Sequence, residues 1–199
     1  MAIFLPERNS AAVRSVRFAA RTLFCPFFNI HVSGTQNIPA GDPFILLPKH
    51  QRWEDIPIVA ISTGLPLYYV AKQELFNNIF SRNIISMLGG LPVNRRQPAR
   101  SRNTYSKIME KLTENEGIVI FPEGTYYKNR MGTGHIGLVR MIHSNMDTLF
   151  VPAGINYRRG STRTNVLVSF GKPIKGKDYE NSSELLNSIM TDISRLSGL

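Results

Sequence analysis

Phe44-Ile45-Leu46-Leu47-Pro48-Lys49-His50-Gln51-Arg52-Trp53-Glu54-Asp55-Ile56-Pro57 is the stretch whose reading decides the fold. Four apolar residues in a row read as a strand buried on both faces. A proline ends the run, a lone imidazole follows, and a carboxylate comes five residues after the imidazole. In one continuous helix His50 and Asp55 would point about 140° apart and could not meet. They meet if His50 sits at a strand end and Asp55 opens a helix. The sequence permits this, because Asp is a favoured helix N-cap and Pro57 is tolerated in a first helical turn. A carboxylate there also suits the helix macrodipole. It can accept a hydrogen bond from one imidazole nitrogen, fix the tautomer and leave the other nitrogen basic. His50 is then a general base and Asp55 its orienting partner. The spacing alone leaves open a surface histidine beside an unrelated helix cap. No third ligand stands at a recognisable spacing, which argues against a metal site.

Working outward, apolar runs alternate with helical patterns from residue 30 onward. Strands are expected at Ile30–Val32, Phe44–Leu47, Leu67–Ala71, Gly90–Val93, Gly117–Phe121, Thr148–Pro152 and Thr164–Phe170. Helices are expected at Ile56–Ser62, Asn78–Leu88, Ser101–Leu112, Gly134–His143 and Ser182–Leu196. This alternation predicts a single α/β domain with a mixed, mostly parallel sheet flanked by helices. Residues 8–25 read as a helix between Pro6 and Pro26. Val13, Val16, Ala20, Leu23 and Phe24 share one face, beside a stripe of Arg14, Arg17 and Arg21. It is either a helix packed on the domain with solvated arginines or an interfacial helix on a membrane.

The charge narrows the partners. Lys and Arg number 24 against 14 Asp and Glu, a formal net charge of +10. Such a chain is drawn to polyanions: nucleic acid, an anionic membrane face or phosphorylated small molecules. Zinc-finger spacing, an aromatic RNA-binding signature and a helix-turn-helix pattern are all missing, so nucleic acid is not an expected partner. No apolar run approaches the ~18 residues of a transmembrane helix. Pro6 and Glu7 fall where a signal peptide needs its apolar core, which argues against export. Cys25 is the single cysteine, so no internal disulfide can form.

Four apolar runs end in polar or glycine-rich turns: FILL-PKHQRWED, GGLPV-NRR, IVIF-PEGT and LFV-PAGIN. Ligands of α/β sheets gather at the carboxyl ends of strands. If three of these strands are parallel neighbours, His50, Arg95 and Glu123 converge. Arg95 lies nearest its strand end, and its guanidinium fork suits a phosphate; Arg96, Arg100 and Arg102 read equally well as a solvated basic turn. Lys72 is either a second charge at that rim or a solvated strand-end lysine. Glu123, between Pro122 and Gly124 after a buried strand, needs hydroxyls, backbone amides or an arginine, because an unpaired buried carboxylate is costly. Val151-Pro152-Ala153-Gly154 offers small side chains where a thioester or acyl chain could approach closely. No G-x-S-x-G elbow is present and Cys25 sits in an apolar context, so no enzyme nucleophile stands out. A base without a nucleophile points to direct transfer, the base activating a hydroxyl of the substrate itself.

His50-x4-Asp55, Gly90 to Arg95, Phe121-Pro122-Glu123-Gly124-Thr125 and Val151-Pro152, in this order over about residues 30–175, resemble the glycerolipid acyltransferases. Among these the chain is most similar to 1-acylglycerol-3-phosphate acyltransferases of the bacterial type. The resemblance implies transfer of an acyl group from acyl-CoA or acyl-carrier protein to the hydroxyl of a lysophospholipid, with no metal, cofactor or covalent acyl-enzyme. It makes His50 and Asp55 the catalytic pair, and gives Arg95, Glu123, Gly124 and Thr125 to the glycerol-phosphate site, with Lys72 beside them. It implies an acyltransferase domain over 29–199, preceded by a membrane-contact helix within 1–28, peripheral on the cytoplasmic membrane face. Lys49, Arg52 and Tyr126 depart from the family's usual Asn, Ser and Arg, which leaves the acceptor open. Rival readings are a hydrolase or thioesterase using the same pair on water, and a non-catalytic basic membrane- or nucleic-acid-binding domain.

Overall fold

The computed structural model describes residues 8–94 and 101–199. The elements run α1 (Ser10–Phe24), β1 (Phe28–Ser33), β2 (Phe44–Pro48), α2 (Asp55–Thr63), β3 (Tyr68–Lys72), α3 (Ile79–Met87), β4 (Gly90–Val93), α4 (Arg102–Thr113), β5 (Gly117–Val119), α5 (Ile136–His143), β6 (Leu149–Arg159), β7 (Thr164–Phe170), β8 (Ile174–Lys175) and α6 (Ser182–Ser197). Among the described residues these strands form one sheet in the order β1-β7-β6-β2-β5-β3-β4, with β8 added beside β6. Every pair is parallel except β6 with β7 and β6 with β8. The expected mixed, mostly parallel α/β sheet is therefore the one the chain forms.

The central strand explains itself. Ile45 and Leu47 enter the core on one face of the sheet, while Phe44 and Leu46 enter the core on the other. All four are buried, which is why FILL reads as an uninterrupted apolar run. Ile108 and Leu112 of α4, Val139 and Ile142 of α5, and Leu185, Ile189 and Ile193 of α6 cover the first face. Ile58 and Val59 of α2 and Phe24 of α1 cover the second. The basic N-terminal helix thus packs partly on the domain.

Of the expected boundaries that move, two matter for the site. The strand expected over Gly117–Phe121 ends at Val119, so Ile120 to Thr125 form the turn itself. The strand expected to stop at Pro152 instead continues to Arg159. Val151-Pro152-Ala153-Gly154 is therefore no strand end. Val151 to Ala153 pair with Leu46 to Pro48, and beyond them the strand is held by β7, with Ile155 opposite Val168. A Cβ on Gly154 would fall 2.3 Å from the backbone of Leu196 in α6. That glycine admits a helix rather than an acyl chain.

Candidate active site

β2 is flanked by β5 and β6, both parallel to it, so the carboxyl ends of β2 and β5 adjoin near His50 while β6 runs on past them. His50 lies two residues past the end of β2, and Asp55 is the first residue of α2. Glu54 holds the N-cap position, so the aspartate sits one residue further into the helix than a cap. Its side chain folds back over the turn. Oδ2 lies 3.1 Å from His50 Nδ1 and accepts the Gln51 and Arg52 amides at 2.5 and 2.7 Å. Oδ1 accepts the Tyr157 hydroxyl at 2.5 Å. The free amides of the turn before α2 thus hold the carboxylate that orients the imidazole.

Aromatic contacts fix the imidazole plane. The Phe121 ring stacks on it at 4.0 Å, and the Tyr126 ring meets it edge-on at 4.4 Å. No described residue hydrogen-bonds Nε2, which leaves that nitrogen for a substrate.

Glu123 finds the partners that its burial demands, backbone amides among them. It is fully buried, with both carboxylate oxygens 2.7 and 2.8 Å from Lys49 Nζ. It also accepts the backbone amides of His50 and Gly132 at 2.9 and 2.6 Å. Lys49 and two amides thus tie the carboxylate into the interior. Lys49 adds bonds to the carbonyls of His50 and Tyr127 at 3.2 and 2.9 Å. Burial pushes the Lys49 ammonium below its ordinary range, against the opposing pull of Glu123.

A cavity of about 510 Å³ opens at this edge. His50, Lys72, Phe121, Gly124, Thr125 and Tyr126 line its catalytic end. Ile56 and Ala60 of α2, Val13, Val16 and Ala20 of α1, and Ile85 of α3 continue it between the helices and the sheet. Gly124 adopts φ +68, a left-handed turn position that suits glycine. Thr125 and Lys72 are exposed at the mouth. Arg95 lies outside the described residues. No serine or cysteine among the described residues lines the cavity, and Cys25 is exposed at the end of α1. No three His, Cys, Asp or Glu side chains among the described residues cluster to hold a metal ion.

Sequence reasoning missed Lys49, Tyr157 and Phe121 as parts of the site. Lys49 was visible as a departure from the family pattern, without a role. Phe121 stood inside the third motif without a role, and Tyr157 carried no signal, since its contact depends on a strand distant in sequence.

A histidine oriented by a carboxylate, at the mouth of an apolar cavity and with no nucleophile beside it, suits acyl transfer to a substrate hydroxyl. The family comparison gives the same class. A family model described as Acyltransferase matches residues 29–156, and the chain belongs to that acyltransferase family. It is 26% identical over 175 residues to the 1-acyl-sn-glycerol-3-phosphate acyltransferase of Streptococcus pneumoniae, covering 84% of this chain and 66% of that protein. It is 30% identical over 133 residues to the chloroplastic 1-acyl-sn-glycerol-3-phosphate acyltransferase LPAT1 of Arabidopsis thaliana, covering 66% of this chain and 37% of that one. The chain thus spans only part of these relatives. The crystal structure of the 1-acyl-sn-glycerophosphate acyltransferase of Thermotoga maritima shares the fold, with a TM-score of 0.76 and 21% identity over 94% of this chain and 78% of that one.

Proposed function

We propose that the chain transfers a fatty acyl group from acyl-CoA or acyl-carrier protein to the free hydroxyl of a lysophospholipid, foremost 1-acylglycerol-3-phosphate, giving phosphatidic acid. The observation that carries this reading is the state of His50. Its Nδ1 is tied to Asp55, no described residue holds its Nε2, and its ring lines the apolar cavity. Nε2 removes the proton of the acceptor hydroxyl as the oxygen attacks the thioester carbon. The tetrahedral intermediate then collapses, the C–S bond breaks, and the proton returns from the imidazolium to the departing thiolate. The acyl chain lies in the cavity between α1, α2, α3 and the sheet, where apolar walls suit an aliphatic tail. Arg95 and Lys72 hold the acceptor's phosphate. Gly124 and Thr125 contact the glycerol, while Glu123 acts from beneath by holding the His50 backbone.

The relatives' names support 1-acylglycerol-3-phosphate as acceptor, and the net charge of +10 supports a peripheral position on an anionic, cytoplasmic membrane face. Among the described residues no helix is long and apolar enough to cross a membrane. The test is an assay of the purified chain with labelled acyl-CoA or acyl-carrier protein against lysophosphatidate, glycerol 3-phosphate and other lysolipids. Labelled phosphatidate is the expected product. Free fatty acid as the main product would instead make this a hydrolase.

A further inference from the structure

α3 and the turn before it leave large apolar side chains in solvent. Phe80, Ile84 and Met87 are 74%, 42% and 38% exposed, and they recur at the spacing of one helical stripe. Ile79 and Leu75 beside them are 65% and 51% exposed. Single exposed apolar residues are ordinary, but a contiguous group marks a binding surface. This group adjoins the cavity: Leu75 and Ile85 line it, and Val16 of α1, 47% exposed, lines it opposite. The exposed stripe and the cavity mouth are therefore one continuous apolar surface. Residues 73–87 carry a single acidic residue, Glu74, and a single basic one, Arg82, while exposed Lys72 stands at the rim.

We propose that α3 is a membrane-inserting wedge, with Ile79 and Phe80 entering the acyl region of an anionic bilayer so that lipid chains pass sideways into the cavity. The proposal rests on the acyl-transfer reading and adds to it a surface outside the basic N-terminal helix. A net charge of +10 favours an anionic lipid surface over a second copy of this chain, which would bring like charges together. An aliphatic substrate in the cavity also needs an apolar path from the bilayer, and this rim is such a path.

The test compares the wild type with an Ile79→Glu/Phe80→Glu variant. Both positions are exposed in the first turn of α3, where acidic side chains suit the helix dipole, so the fold is kept. Vesicles of phosphatidylcholine with phosphatidylglycerol are floated at low salt and at about 1 M salt, where the Debye length is near 3 Å. Wild type is expected to retain a salt-resistant bound fraction. The variant is expected to lose that fraction by about tenfold or more. Turnover of a dispersed short-chain acceptor should be equal in both proteins, because neither residue lines the cavity. Equal vesicle binding by the two proteins would overturn the wedge. So would a wild-type dimer that the variant converts to a monomer, since α3 would then be a self-association face. If wild type transfers no acyl group even to the short-chain acceptor, the enzymatic reading fails separately, and the flotation result still decides the membrane contact.

Discussion

Lys49 and Glu123 form a fully buried ion pair, 2.7 Å at its shortest, directly beneath the backbone of His50. The pair joins three segments: the strand end that carries the histidine, the Pro122–Thr125 turn, and the loop through Tyr127 and Gly132. Removing one partner leaves an uncompensated charge in the interior, at a cost of about 3–5 kcal/mol, whereas an apolar replacement of both is tolerated better. Lys49→Met is therefore expected to destabilise the chain more than the Lys49→Met/Glu123→Leu double variant does. Denaturant unfolding of the three proteins measures this, and a double variant less stable than the single would contradict it.

The His50 side chain touches Phe121, Tyr126 and Asp55, while its backbone bonds to Glu123, Lys49 and Tyr127 survive truncation. His50→Ala is expected to keep the thermal unfolding profile while acyl transfer falls about 10²–10⁴-fold, the range of a positioned general base. Near-normal turnover in a folded His50→Ala protein would remove the histidine from the mechanism.

Burial, joined by the charge and hydrogen bond of Asp55, pushes the Tyr157 phenol well above the ordinary tyrosine range. Burial does the same to Tyr69. A raised folded value means that folding favours the protonated phenol. The resulting stabilisation is complete below the unfolded value near 10 and is lost as pH rises through the folded value. Tyr157 and Tyr69 are expected to stay protonated in native protein at pH about 11, in an ultraviolet titration. They should ionise once denaturant unfolds the chain. Seven native tyrosinates with the circular dichroism unchanged would refute the buried Tyr157–Asp55 contact.

Ala60 on α2 lines the cavity opposite α3 and the sheet. Ala60→Leu adds bulk without polarity, so it is expected to shorten the preferred acyl chain while leaving turnover of short chains within about threefold. Competition among acyl-CoA chain lengths reads this out. An unaltered preference would mean that the chain lies elsewhere.

Lys72 is exposed at the cavity mouth, at the end of β3. Lys72→Ala is expected to raise KM for a phosphorylated acceptor several-fold and leave kcat nearly unchanged, as loss of uniform binding does. The Arg95→Ala variant should do the same more strongly. An unchanged KM in either removes that residue from the phosphate clamp.

The strands were legible because buried parallel strands read as plain apolar runs, as FILL and IVIF do. Their lengths were less so. β6 continues past Pro152 through Gly154 and Asn156, residues that read as a turn, because β7 pairs with that part from outside the local sequence. The His50–Asp55 geometry was legible from spacing, since only a strand end followed by a helix start lets the two meet. Tyr157 was not, because it reaches Asp55 from 102 residues away. Glu123 could be read as needing partners, but not that Lys49, 74 residues earlier, is the main one. An ion pair of that separation is set by which strands lie side by side, and local sequence does not encode that.

The position of β1 bears on how the chain acquires its structure. Among the described strands β1 pairs only with β7, and Asn29 meets Asn165 across 136 residues. On a ribosome β1 must wait until β7 has emerged before its ladder can close. Contacts of such long range are slow to form. During that interval the backbone ladder groups of Phe28 to Ser33 stay unpaired next to a positively charged helix, so a nascent chain is open to capture by a chaperone or a lipid surface.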